Sequence, residues 1–218
     1  MAEVQKDGLV GYWSFDEGQG TTAYDGSGKG NNGVLLPASS EPQWVNGKFG
    51  NALQFNGVNN YVNVTNSASL SGINDATFVM WIRVNAPLST YEIFYEKSGS
   101  WNFLVNNANS IEWWIWFNGV GRQNIFYVAP AWNVGEWNQF VFFRKAGIEN
   151  DLYKNGILLA SNTNNVNSVV SSSTNNVHIG SGPDRGGANG QGFNGIIDEV
   201  KIYNKALTPD DTISLRAA

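Results

Sequence analysis

Asn150-Asp151-Leu152-Tyr153-Lys154-Asn155-Gly156-Ile157-Leu158-Leu159-Ala160-Ser161 places two short strand-like runs on either side of an Asn-Gly pair. Asn-Gly supplies the positive φ at both central positions that a tight two-residue hairpin requires. The stretch therefore predicts strands over 150–154 and 157–161. The same turn signal recurs at Asn46-Gly47, Asn56-Gly57, Asn118-Gly119 and Asn194-Gly195. Short alternating or apolar runs fill the intervals and predict strands over 8–15, 52–55, 61–64, 76–85, 91–97, 101–106, 111–117, 122–128, 137–145, 176–179 and 195–203. No helical period holds over a long stretch. The reading is all-β, a two-sheet antiparallel sandwich forming one domain over 1–218. A short helix is expected at Thr208-Pro209-Asp210-Asp211, with an N-cap, proline at the first position and acids in the first turn. Residues 162–176 read as a polar loop or weak edge strand, and 180–192 as a Gly-rich loop.

Composition narrows the function. The chain has 218 residues, 42% hydrophobic and only 14% charged, which suits one folded core and not a disordered chain. Net charge is -5, and the 13 Lys and Arg are scattered, with Arg144-Lys145 the one adjacent pair, so no basic surface for nucleic acid is expected. No 18-residue apolar run exists to cross a membrane as a helix. Cysteine is absent and histidine occurs once, which leaves zinc without its usual ligands. Nine tryptophans exceed what an ordinary core of this size needs.

Gly8-Leu9-Val10-Gly11-Tyr12-Trp13-Ser14-Phe15-Asp16-Glu17-Gly18-Gln19-Gly20 resembles the opening of laminin G-like jelly-roll domains, and residues 24–33 continue in that manner. Residues 47–57, 78–84, 135–138 and 152–156 resemble the family's next blocks, and 195–207 its closing strand. The likeness spans about residues 8–207. It implies a concanavalin A-like jelly roll of the pentraxin-like superfamily, a fold that serves lectins, carbohydrate modules, adhesins and some glycan-cleaving enzymes. The start, Met1-Ala2-Glu3-Val4-Gln5-Lys6-Asp7, lacks a signal peptide's apolar stretch. The chain is either cytosolic or, as the resemblance implies, a segment of a longer extracellular or cell-surface protein.

The resemblance also implies calcium, a structural ion near the junction of the first loop and the last strand. Calcium takes six to eight oxygens from carboxylates and carbonyls, and Asp16, Glu17, Asp25, Asn31 and Asp198 are the expected ligands. Strand parity over 195–203 puts Ile196, Asp198, Val200 and Ile202 on one face. If Val200 and Ile202 face the core, Asp198 points inward and must be paired or metal-bound. The alternative is that Asp198 and Asp25 accept backbone N–H groups in turns.

Trp13, Trp81 and Trp137 fall on family positions and are read as core, with Trp44 under the 47–50 loop. Trp101, Trp113, Trp114, Trp116 and Trp132 remain. A four-residue turn at Asn106-Asn107-Ala108-Asn109 would bring Trp101 beside Trp114, with Trp116 on the same face and Leu104, Trp113, Ile115 and Phe117 on the other. Trp101, Trp114 and Trp116 are then an exposed row on which the apolar faces of sugar rings stack. Glu112, Asn118 and Arg122, with Asn102 and Gln123, are the nearby polar groups. A one-residue slip in register would exchange the two faces.

The resulting expectation is a non-catalytic carbohydrate-binding module whose partner is a glycan. An adhesion or structural module that binds protein through the Trp face is the first rival. A glycan hydrolase or lyase is the second. The chain lacks alternating Glu and Asp along one strand, Asp198 and Glu199 fall on opposite faces, and only Glu92 and Glu96 are spaced to share one. The lone His178 reads as a hydrogen-bonded core or edge residue.

Overall fold

The computed structural model describes residues 6–86, 91–105, 110–128, 133–181, 192–207 and 211. The strands, in chain order, are β1 (Leu9–Trp13), β2 (Thr22–Ala23), β3 (Gly33–Leu36), β4 (Gln43–Asn46), β5 (Asn51–Asn56), β6 (Tyr61–Val64), β7 (Ala76–Val84) and β8 (Glu92–Lys97). They continue as β9 (Trp101–Val105), β10 (Ile111–Phe117), β11 (Gly121–Val128), β12 (Trp137–Lys145), β13 (Glu149–Lys154), β14 (Ile157–Asn162), β15 (Val177–Ile179) and β16 (Asn194–Tyr203). They form two eight-stranded antiparallel sheets. The first runs β14-β13-β12-β7-β16-β5-β4, with β1 also paired to β16, and the second runs β11-β10-β9-β8-β15-β6-β3-β2.

The hairpin expected at Asn155-Gly156 is present. Lys154 pairs with Ile157 across Asn155 and Gly156, whose φ angles are 50° and 75°. Asn194-Gly195 differs from expectation: it opens β16 and makes no turn. The helix expected at Thr208-Pro209-Asp210 lies outside the described residues, as do Trp132, the turn 106–109 and most of the Gly-rich loop. Of the expected 162–176 polar loop, Asn162 ends β14 and residues 163–176 form the loop, with one isolated bridge at Val170. The buried guanidinium of Arg144 gathers it by donating to the carbonyls of Asn165, Val166 and Ser168.

Between the sheets lies an aromatic core in which Phe78, Tyr95, Trp101, Phe103, Trp113 and Phe142 pack together. A smaller cluster of Leu9, Val79, Val141, Tyr203 and Leu207 covers part of the first sheet's outer face.

Three of the register shifts in the two sheets decide which faces Asp198, Glu96 and Trp114 reach. In β16 the register shifts between Asp198 and Lys201, and Glu199 has φ 55°. Ile197, Val200 and Ile202 all enter the core, so the inserted residue breaks the expected parity and carries Asp198 to the outer face of the first sheet. In β8 the register shifts between Ile93 and Tyr95. Glu96 pairs with Asn102 and Glu92 with the core residue Val105, so the two glutamates do not share a face. The third bulge falls between Trp113 and Trp114, where β10 meets β11.

Candidate functional site

Pairing of β9 with β10 sets the fate of the tryptophans. Val105 pairs with Ile111 and Trp101 with Ile115. Five residues therefore separate the strands where the sequence reading took four, and the register moves by one. Trp101 is consequently a core residue, 1% exposed and stacked on Trp113 at 5.8 Å. Phe103 joins it inside, while Leu104 goes to the outer face opposite Glu112. The three-tryptophan row expected from sequence is thereby corrected to a pair, Trp114 and Trp116, both half-buried on the outer face of the second sheet.

Glu112 and Arg122 join that pair as expected. The indole N–H of Trp114 donates to Glu112 Oε2 at 2.6 Å. The Arg122 guanidinium lies 4.0 Å from the Trp114 ring centre and 5.2 Å from that of Trp116. A guanidinium over an indole face is attracted by the ring quadrupole. Asn118 sits in the β10–β11 turn, where its backbone N–H donates to the Val169 carbonyl, and Gln123 pairs with the inward Ile115.

Ladder pairing extends this face across the sheet. Asn124, Trp114, Asn102, Glu96, His178, Asn63 and Val34 occupy successive positions of one row from β11 to β3. Residues directly paired in a ladder project to the same side. At the far part of the row a cleft of about 430 Å³ is lined by Tyr61, Asn63, Glu96, Asn175, Asn176 and His178, among others. His178 Nε2 and the Asn176 amide both lie within hydrogen-bond distance of Asn63 Oδ1, at 3.1 and 3.0 Å. The rings of His178 and Tyr61 meet edge to face at 5.4 Å. Sequence reading passed over this group because its members come from β6, β8, β15 and the segment before β15. Only the lone histidine hinted at it.

The five residues expected to bind metal separate into two groups. Asp25 is committed to its turn: Oδ1 accepts the N–H groups of Tyr12 and Ser27, and Oδ2 accepts the Ser27 hydroxyl and the Asn31 N–H. Asn31 is likewise engaged, accepting from Ser67 and donating to the Val10 carbonyl. Asp16 and Asp198 instead grip the 47–51 loop from two sides. Asp198 Oδ2 accepts from the backbone of Lys48 and Phe49, and Asp16 Oδ1 from that of Asn51. Gly50 permits that approach, since its φ is 50° and a Cβ there would lie 2.0 Å from Asp16 Oδ1. Burial pushes the Asp198 carboxyl up to about 7, against the two N–H donors that favour its charged form. Asp198 Oδ1 and Glu17 Oε2 are buried acceptors without a donor. Among the described residues, no three His, Asp or Glu gather closely enough to hold a metal by themselves.

The family model for the concanavalin A-like lectin/glucanases superfamily matches residues 56–212. The chain belongs to this superfamily. No curated protein sequence matches it. Among solved structures it is similar to domain 4 of AbnA, a GH43 extracellular arabinanase from Geobacillus stearothermophilus, in complex with arabinotriose. The TM-score is 0.69 at 19% identity, over 97% of this chain and 99% of that one. It is similar to the binding domain of Paraclostridial Mosquitocidal Protein 1, with TM-score 0.75 at 18% identity over 96% of this chain and 52% of that one. It is also similar to the botulinum neurotoxin serotype D ligand binding domain in complex with N-acetylneuraminic acid, with TM-score 0.66 at 15% identity over 95% and 50%. The chain thus spans about half the length of the toxin chains. At these identities the likeness is one of fold, the concanavalin A-like jelly roll.

Proposed function

We propose that this superfamily member is a non-catalytic carbohydrate-binding module of an extracellular or cell-surface protein, and that a glycan docks on the outer face of the second sheet. The observation that carries the reading is the Trp114–Trp116 pair, half-buried on an otherwise amide-rich face, with Arg122 and Glu112 fixed against it. Indole planes match the C–H faces of sugar rings, while carboxylate and guanidinium groups orient hydroxyls. The arabinotriose and N-acetylneuraminic acid held by two structural neighbours support a sugar ligand. Separation of Glu92 from Glu96 by the β8 bulge weighs against a carboxylate pair on that strand.

A structural calcium is part of the reading, on narrower grounds than the sequence suggested. Asp198 Oδ1, buried without a donor, is a group that a hard cation would satisfy, with Asp16 and backbone carbonyls completing the shell. Such an ion would supply charge compensation and hold the chain ends, taking no part in chemistry.

A second reading, adhesion to protein, is favoured by Ile157, Leu158 and Leu159, three consecutive exposed apolar residues on the edge strand β14. Titration of wild type and Trp114→Ala with soluble polysaccharides tests the choice. A glycan that binds the first and not the second supports the module. Tight binding that survives the substitution moves the ligand away from this face.

A further inference from the structure

We propose that the cleft at Tyr61, Asn63, Glu96 and His178 is a second subsite, and that one linear neutral glycan runs from it over Asn102 to Trp114 and Trp116. The inference rests on the glycan-binding reading and adds the path of the ligand and its minimum length. Three strand-to-strand steps, β10 to β9 to β8 to β15, separate Trp114 from His178 in the ladder. At the spacing of paired strands this is about 14 Å, too far for one sugar residue and suited to a short chain.

Asn102 lies midway along the row, between Glu96 and Trp114. It is 0% exposed, and neither its amide nitrogen nor its carbonyl oxygen has a hydrogen-bond partner. A buried polar group left unpaired costs about 1–3 kcal/mol, and native structures carry few without a reason. A sugar hydroxyl both donates and accepts, so a chain laid across the row satisfies this amide once a flanking side chain turns aside. The cleft beyond it has the same chemistry: Asn63, Asn175, Asn176 and Thr174 offer amides and a hydroxyl, and Tyr61 offers a ring. Its lining contains one carboxylate, Glu96, and no Lys or Arg, which favours a neutral chain over an acidic one.

The sole histidine makes the test direct, because the protein has one imidazole. Isotope-labelled full chain is titrated, under NMR observation, with arabinan, xylan and cellulose oligosaccharides of one to six residues. For the ladder that binds, we expect the Trp114 indole signal to move with the short members. The His178 imidazole should move only with members long enough to span the row. Affinity should rise about tenfold or more at that length, as linked subsites predict. His178→Ala, with Asn63→Ala as a second variant, should remove the gain while leaving disaccharide affinity within about twofold. Indole shifts with an unmoved imidazole at every length would overturn the second subsite and leave glycan binding standing. Imidazole shifts without indole shifts would overturn the continuous path. If no ladder moves either signal while the spectrum stays dispersed, the glycan-binding reading itself falls, and this inference with it.

Discussion

The guanidinium of Arg122 lies 4.0 Å from the centre of the Trp114 ring, across the β10–β11 pair from Trp116. The contact orders the part of the face on which ligand binding is proposed, and it has a measurable worth. A double-mutant cycle with Arg122→Ala and Trp114→Ala, read by urea unfolding, should give a coupling of about 0.5–1 kcal/mol, as for an exposed cation–π pair. Arg122→Lys should recover less than half, since a lysine cannot stack its plane on the indole. Additive effects of the two alanines would show that the contact is not held in solution.

The two faces of β9 and β10 make opposite predictions for their tryptophans. Trp101→Ala empties a site in the aromatic core and should cost about 3–5 kcal/mol. Trp114→Ala should stay within about 1 kcal/mol of wild type and yet lose glycan binding. Thermal melts and a binding titration on both variants check the assignment. A Trp101→Ala as mild as Trp114→Ala would mean that the register is the four-residue one, which puts both rings on the outer face.

That register marks the limit of what the sequence discloses. The Asn155-Gly156 hairpin, the run of strands and the family blocks were legible because turn chemistry and alternation act locally. Three strands were missed: Thr22–Ala23, Gly33–Leu36 and Gln43–Asn46 are too short to show a period. Trp101 was misassigned because one extra residue between β9 and β10 inverts every side chain of β9 relative to β10, and composition does not fix that count. Asp198 went to the wrong face for a related reason, the bulge at Glu199. Trp114, Trp116, Glu112 and Arg122 were found because they lie on adjacent strands. The Tyr61–Asn63–Glu96–His178 group was not, because only the sheet order brings β6, β8 and β15 side by side.

Calcium, if it binds at Asp198, should stabilise the fold by mass action. At a hundredfold excess over its Kd the gain is about 3 kcal/mol, read as a rise in Tm over chelator-treated protein. Asp198→Asn should abolish the rise. Asp25→Asn should lower Tm by the same amount with and without calcium, because its oxygens serve the turn. An identical Tm in calcium and in chelator would remove the ion from the account.

Glu92 provides a test in pH. Its carboxyl, 7% exposed, accepts the Asn194 N–H at 2.9 Å and is pushed up by burial to about 7. A folded-state pKa above the unfolded one means that the native protein holds the proton more tightly. Stability on this account is therefore greatest below about pH 4.5 and declines as pH rises to about 7. The decline is at most about 3 kcal/mol. Glu92→Gln keeps an acceptor for Asn194 and should flatten that slope in urea unfolding at pH 5 and pH 7.5. An unchanged slope would place the titration elsewhere.

Glycan binding without catalysis is tested most directly by a panel of soluble polysaccharides and oligosaccharides, read at once by tryptophan fluorescence and by analysis of released sugars. The predicted result is a saturable fluorescence change with at least one glycan, absent in Trp114→Ala, and no product. Released product, or a well-folded protein silent to every glycan on the panel, would contradict it.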